Sequence, residues 1–162
     1  MSNRFKNKKF RLSANALLLS VASLFCACDG QVVCHAFRSL PLKGWQRNDT
    51  LVFETTVTDS LTYYRLSVEV RNRNGYPYRN LPLTVSCTAP DGQTLPTDSL
   101  QLSLANEDGT WRGKGWGGLY QTTFPAGSIR ITQPGTYLFK IAYTLPNSLL
   151  TGINDVGIKL SR

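Results

Sequence analysis

The stretch YRLSVEVR, residues 64–71, decides the fold, because every second side chain in it is apolar. In an extended chain, alternate side chains point to opposite sides. A helix would instead need apolar residues three and four positions apart. The stretch therefore predicts a β-strand with one buried and one solvent-facing side, the buried set being Tyr64, Leu66, Val68 and Val70.

The same period-two pattern recurs along the chain from Gly44 onward, and turn-forming sequences such as Pro90-Asp91-Gly92 separate its segments. No stretch keeps a helical period. Roughly seven or eight short strands over about 120 residues fit one antiparallel β-sandwich, immunoglobulin-like or jelly-roll-like. We therefore predict an all-β class with a single sandwich domain over residues 44–162. The other patterned segments are residues 50–58, 81–88, 100–104, 137–143 and 156–160.

Residues 1–27 are predicted to be a cleaved export signal, which takes no part in the fold. Five basic residues and no acidic one precede an apolar run over residues 12–27. A membrane-spanning helix needs about 20 predominantly apolar residues, and Asn15, Ser20 and Ser23 dilute this run. We therefore expect a mature protein without a membrane-spanning helix.

The end of the signal, LFCACD at residues 24–29, resembles the lipobox of bacterial lipoproteins. In that motif a small residue precedes the cysteine that receives the lipid, as Ala27 precedes Cys28 here, although Phe25 replaces the usual leucine. Cys26 is the rival acceptor, but the bulky Phe25 before it does not suit a cleavage pocket for small side chains. We predict a covalent lipid on Cys28, attachment to the membrane through it, and no other cofactor. Several acyl chains hold a protein far more firmly than one.

Residues 28–43 show no clear period, so the sequence predicts either a tether leading from the lipidated N-terminus or a first edge strand. Some 15 fully extended residues reach about 50 Å. The sequence therefore leaves open whether the domain stands clear of the bilayer or lies against it.

The net charge of +8 belongs mostly to the signal. Its removal takes five of the 18 Lys and Arg residues and none of the 10 Asp and Glu residues, which leaves 13 basic residues against 10 acidic ones. A nucleic-acid partner would call for a clustered basic surface, and the remaining arginines are scattered. We expect no binding to nucleic acid.

The sequence offers little for catalysis. Its one histidine, His35, adjoins Cys34, but neighbouring side chains of an extended segment point to opposite faces. The acidic residues are dispersed and match no calcium loop. We therefore expect no catalytic residue, no metal site and no enzyme activity. Whether Cys34 pairs with Cys87 stays open, with a buried and inert Cys87 favoured.

Aromatic residues supply the candidate binding surface: Trp116, Tyr120, Tyr76 and Tyr78. Trp45 and Trp111 are more typical of core or edge-sealing positions. Tyr76 and Tyr78 flank a turn, which a tyrosine hydroxyl can close by a hydrogen bond. The glycine-rich run at residues 111–118 indicates a bulged strand where another backbone or a large ring approaches closely.

Several segments together resemble the gliding-motility lipoprotein GldH family of the Bacteroidetes, along nearly the whole mature chain. The resemblance implies a lipoprotein of the cell envelope that gliding members need for movement over surfaces. It also implies a link to machinery that secretes surface adhesins, and no enzyme activity. The matching segments are Gly44-Trp45 with Asp49, Arg71-Asn72, Tyr76-Pro77-Tyr78, Asn80-Leu81, Pro90-Asp91-Gly92, Asp108-Gly109, Trp111 with Gly113 and Gly115, Gly118, Gly135 with Tyr137, and residues 152–158.

The resemblance also implies partners among the envelope proteins of the motility or secretion machinery. Surface-exported lipoproteins of this phylum often carry an acidic run after the lipidated cysteine, and here Asp29 stands alone. We therefore expect an outer-membrane protein whose domain faces the periplasm. The alternative hypothesis is a glycan-binding envelope lipoprotein that uses Trp116 and Tyr120.

Overall fold

A computed structural model describes residues 31–162, apart from the side chains of residues 96–98. The predicted export signal and Cys28 lie outside this part of the chain. Within it every regular element is a strand, and no helix is long and apolar enough to cross a membrane. The strands are β1 (Val32–Ser39), β2 (Trp45–Gln46), β3 (Leu51–Val57), β4 (Thr62–Arg73), β5 (Asn80–Thr88), β6 (Thr94–Ser103), β7 (Lys114–Trp116), β8 (Leu119–Ile131), β9 (Gly135–Tyr143), β10 (Leu149–Leu150) and β11 (Ile153–Ser161).

Two antiparallel sheets pack face to face. The larger sheet has the order β1-β11-β4-β8-β7 and the smaller one β3-β9-β5-β6, while β2 and β10 form a short pair of their own. All of these neighbours run antiparallel. The all-β class and the sandwich architecture are therefore confirmed.

The core lies between the sheets, and the alternation in β4 builds one wall of it. Strand β4 pairs with β11 on one side and β8 on the other, and its apolar set is buried as predicted. Full burial of a side chain of this kind contributes about 1.5–3 kcal/mol. The facing wall comes from β5 and β9, through Leu81, Leu83, Val85, Cys87, Tyr137, Phe139, Ile141 and Tyr143.

Residues 32–39 form a strand of the larger sheet, the second of the two possibilities that the sequence left open. Strand β1 pairs with β11 over its whole length, so the sandwich begins at Val32 and not at Gly44. A register irregularity between Val32 and Cys34, and an apolar Phe37 on the outer face, hid the alternation in this edge strand. The stretch left to act as a tether after Cys28 is correspondingly short.

The strands give the sandwich two ends. We call the end where β1 begins the proximal end, because β1 begins four residues after Cys28, and the opposite end the distal end. At the proximal end β1 begins at Val32, β4 begins beside it, and β8 and β11 finish. At the distal end lie the β7–β8 hairpin, the loop that follows β4, and the short β2–β10 pair. The two ends present different side chains to solvent.

Both cysteines of the described chain are free thiols. Cys34 on β1 is half-buried and Cys87 on β5 is buried. Burial raises the pKa of the Cys87 thiol to about 11, because desolvation disfavours the thiolate. The expectation of a buried Cys87 is therefore confirmed, and the two residues do not pair.

Candidate functional site at the distal end

The β7–β8 hairpin holds the most exposed large hydrophobic side chain of the described residues, the indole of Trp116, which is 94% accessible. A two-residue turn closes the hairpin through Gly117 and Gly118, whose φ angles are +63° and +80°. Two successive positive φ angles are typical of the tight hairpin turn that glycine favours. Because Trp116 directly precedes this turn, it lies at the tip of a short, well-defined loop.

Close backbone approach explains the other two glycines of this run. A Cβ atom on Gly115 would overlap the carbonyl oxygen of Leu119 and lie 2.8 Å from the Cα of Tyr120. A Cβ atom on Gly113 would lie 2.8 Å from the carbonyl oxygen of Gln121. The predicted close approach of another backbone is confirmed, but the pairing of β7 with β8 runs from Lys114 to Trp116 without the predicted bulge. These glycines let residues 113–116 lie flat against β8.

A cleft of about 440 Å³ lies beside the hairpin. Its charged member is Arg73, whose Nε donates to Asn154 Oδ1 at 2.8 Å, with Nη2 donating to the same oxygen. The Arg73 backbone N–H also donates to the carbonyl of Gly152 at 2.8 Å. These hydrogen bonds hold the guanidinium of Arg73 in one position at the cleft. The lining residues are Arg73, Asn74, Gly75, Gly117, Gly118, Leu119 and Asn154.

Trp111 seals the edge beside this cleft. Its side chain packs against the core and its Nε1 donates to Asn74 Oδ1 at 3.2 Å. Its ring centroid lies 6.0 Å from that of Tyr120 and 6.4 Å from that of Tyr76. The edge-sealing interpretation of Trp111 is confirmed, as is the core position of Trp45, which is fully buried.

Two of the four predicted surface aromatics serve the fold. Tyr76 is buried and its hydroxyl donates to the carbonyl of Asn80 at 2.9 Å, which closes the loop as expected. Desolvation raises the pKa of Tyr76, so the phenol stays protonated and able to donate. Tyr78 is half-buried and its hydroxyl donates to Asn147 Oδ1 at 3.0 Å. Both side chains fasten loops at the distal end.

Trp116 and Tyr120 do not form a common platform. Cross-strand partners point to the same face, and the register pairs Trp116 with Leu119 and Gly115 with Tyr120. Trp116 and Tyr120 therefore lie on opposite faces of the hairpin, and Tyr120 is half-buried beside Trp111. Trp116 therefore projects into solvent alone, without Tyr120 beside it.

The outer face of the larger sheet carries a buried polar network that the sequence did not reveal. Glu69, expected on a solvent-facing side, is 4% exposed. Its Oε2 accepts from Gln121 Nε2 at 2.9 Å and lies 3.0 Å from His35 Nε2. Residues from β1, β4 and β8 thus meet through one carboxylate.

A second carboxylate extends this network toward the distal end. Asp155 accepts from Ser39 Oγ at 2.6 Å and from Asn154 Nδ2 at 2.7 Å, and lies 3.6 Å from Arg71 Nη1. The Arg71 guanidinium stands 4.0 Å above the ring of Phe37. These contacts fasten β1 to the sheet, where Phe37 lies opposite Gly157 of β11.

The histidine and the cysteine of β1 point to opposite faces of the sheet, as expected. His35 lies on the outer face with Glu69, whereas Cys34 of the same strand packs against the core. Among residues 31–162, no three His, Cys, Asp or Glu side chains come together as metal ligands would. The arrangement on the outer face therefore fits a structural clamp on an edge strand.

Comparison with known proteins gives a consistent result. The family model for the GldH lipoprotein matches residues 32–160. The gliding motility lipoprotein GldH of Flavobacterium johnsoniae is 30% identical over 159 residues, which cover 94% of this chain and 98% of that protein. A GldH homolog of Christiangramia forsetii is 26% identical over 147 residues, which cover 86% of this chain and 89% of that protein.

Likeness to solved structures is too low to carry an argument. One of them, a family GH115 4-O-methyl-alpha-glucuronidase, shares 14% identity at a TM-score of 0.43 and covers 80% of this chain and 18% of that one. The sequence matches, in contrast, span almost the whole described domain. The chain belongs to the GldH lipoprotein family.

Proposed function

We propose that this protein is a non-enzymatic component of the gliding-motility apparatus and its linked secretion machinery, which works by binding another envelope protein. The family match over residues 32–160 carries this proposal. The two relatives compared above bear the names of gliding motility lipoproteins.

A lipid on Cys28 anchors the protein in this proposal, and the domain faces the periplasm from the outer membrane. The lipobox-like sequence at residues 24–29 supports the anchor. The single acidic residue after Cys28, Asp29, supports the periplasmic side. The covalent lipid is the one attached group that the proposal requires.

The distal end is the proposed partner surface. Interface hot spots are enriched in tryptophan and arginine, and this end displays an exposed Trp116 close to the cleft that holds Arg73. Asn154 holds the guanidinium of Arg73 by hydrogen bonds, so less side-chain freedom is lost when a partner binds. An exposed aromatic side chain beside a cation held by hydrogen bonds suits a protein surface with an apolar pocket and an acidic rim.

Photocrosslinking in the native host tests this proposal. A photoreactive amino acid replaces Trp116 in one strain and Val52 in a control strain, because Val52 is exposed on the smaller sheet, away from the hairpin. We expect an adduct with a motility or secretion protein at position 116 and none at position 52. Equal adducts at both positions, or adducts at neither, would contradict a partner surface at the distal end.

Glycan binding is the second candidate function, because an exposed indole beside a polar cleft also suits a sugar ring. The structure removes Tyr120 from this hypothesis, since it lies on the other face of the hairpin from Trp116. Retention on immobilised envelope polysaccharide distinguishes the two. Glycan binding is supported if Trp116→Ala and Arg73→Gln each abolish retention. Unchanged retention of both variants contradicts a glycan site at the distal end.

A further inference from the structure

The start of β1 limits how far the domain can stand from a lipid on Cys28. Val32 already belongs to the sheet and is four positions after Cys28. Four Cα–Cα steps span at most about 14 Å. If Cys28 carries the lipid, as the proposed function requires, the proximal end is held within reach of the bilayer surface.

The proximal end brings together three exposed apolar side chains: Val32, Leu61 and Tyr63. Leu61 is 71% and Tyr63 63% accessible. The register places the first residues of β1 and β4 at this same end, since Val32 pairs with Ser161, which pairs with Arg65. The apolar side chains therefore lie beside the point where the anchor joins the domain.

Leu61 has a backbone conformation that its side chain disfavours. Its φ is +58°, and it is the one residue other than glycine with a positive φ in the described chain. Leucine adopts this region at a cost, whereas glycine and asparagine tolerate it. The fold nevertheless holds a leucine here, with its side chain in solvent, as the last residue of the loop between β3 and β4.

Basic residues lie at the same end of the sandwich as Leu61 and Tyr63. Arg65 and Arg130 are exposed at the same end, and the Arg130 guanidinium stands 6.0 Å from the centre of the Tyr63 ring. Arg162 is exposed there too, paired with Asp59. Tyrosine is enriched at the membrane–water interface, and arginine places its charge among the headgroups. Arginine also attracts anionic lipid headgroups.

We propose that the proximal end docks onto the bilayer in which the lipid is anchored. The Leu61 side chain enters the boundary between headgroups and acyl chains, Tyr63 lies at headgroup level, and Arg65 and Arg130 face the lipid phosphates. This contact orients the sandwich and points its distal end, with Trp116, away from the membrane. The inference rests on the proposed lipidation of Cys28.

Lipid photolabelling of the protein, expressed in its native host from the complete sequence and purified from the membranes, tests this inference. The protein is reconstituted into vesicles of phosphatidylethanolamine and phosphatidylglycerol that contain a diazirine-bearing phospholipid. After irradiation, flotation reports attachment, and mass spectrometry of the peptides reports which residues touch lipid. We expect label on the peptide that contains residues 59–65.

The same substitution, leucine to asparagine, at two positions separates docking of the proximal end from attachment through the lipid. Leu61→Asn keeps a residue that tolerates positive φ and should lower the label on residues 59–65 about tenfold, because burial of one leucine side chain is worth about that factor in an equilibrium constant. Leu42→Asn removes an 84% exposed leucine at the distal end and should leave the label unchanged. Both variants should float with the vesicles, and their melting curves check that they fold.

The outcomes distinguish the two proposals. Flotation with no label on residues 59–65, or with label that Leu61→Asn does not change, overturns docking and leaves the anchor intact. Failure of the wild-type protein to float overturns the anchor, and docking falls with it. Flotation with label that depends on Leu61 and not on Leu42 supports both.

Discussion

Replacement of Gly152 by alanine should destabilise the domain more than the same change at Gly92, although both glycines have a φ of +84°. A Cβ atom on Gly92 would have no neighbour within 4 Å. A Cβ atom on Gly152 would lie 2.5 Å from the backbone nitrogen of Tyr76 and overlap its Cα atom. The first substitution introduces backbone strain alone, and the second adds a clash between two backbones.

The expected magnitudes follow from these two contributions. A left-handed conformation costs an alanine about 1–2 kcal/mol, so Gly92→Ala should lower the free energy of unfolding by that amount. Overpacking adds about 1–3 kcal/mol, because the loop at residues 73–80 must move away from Gly152. Gly152→Ala should therefore cost about 2–5 kcal/mol in all. Effects of alanine on the unfolded chain are common to both variants and cancel in their difference.

Urea unfolding followed by tryptophan fluorescence measures both variants under one set of conditions. A domain of this size has a total stability of about 5–15 kcal/mol, so both variants should still fold. Gly109→Ala provides a second control, since its φ is also +84° and its surroundings are open. If Gly152→Ala differs from both controls by less than about 0.5 kcal/mol, the ordinary scatter of surface substitutions, the proposed packing of the distal loops is refuted.

Three further predictions concern single side chains. Trp116→Ala should change the free energy of unfolding by less than about 0.5 kcal/mol, because the ring is exposed; a larger loss in urea unfolding would show that the indole supports the fold. Asp155→Ala should cost about 2–3 kcal/mol, since it removes charge-assisted hydrogen bonds, and should speed hydrogen exchange in β1. Ser39→Ala, which removes one of those donors, should cost about 1 kcal/mol, and equal effects would argue against the clamp on β1. Burial raises the pKa of Cys87 to about 11, so the folded state binds more protons than the unfolded state between pH 9 and 11 and loses stability as the pH rises. Stability of the wild type relative to Cys87→Ala should therefore fall across this window, and a constant difference would contradict the assignment.

Alternation predicted the strands whose one side faces the core. Strand β4 lies between two neighbours and faces the opposing sheet, so its apolar residues 64, 66, 68 and 70 had to point inward together. The alternation did not predict β1, because β1 lies at an edge of the sheet and its apolar Phe37 packs on the outer face. Period alone cannot separate such a strand from an irregular tether.

The geometry of the candidate site depends on strand register and long-range contacts, which the sequence pattern does not contain. The aromatic inventory singled out Trp116, whose indole is exposed. Whether Trp116 and Tyr120 share a face depends on which two residues form the turn. Gly117 and Gly118 set that register, and a shift of one residue would reverse the faces. Burial of Glu69 likewise depends on His35, which is 34 positions away in sequence. Contacts of that range follow from the fold and not from local spacing.

Lipid attachment to Cys28 underlies both proposals, and metabolic labelling in the native host tests it most directly. Cells receive a fatty acid with a clickable tag, and the wild type is compared with Cys28→Ala and with Cys26→Ala, which removes the rival acceptor. We expect label on the wild type and on Cys26→Ala, and none on Cys28→Ala. Label that persists on Cys28→Ala would contradict the anchor, and with it the short connection that holds the proximal end at the membrane.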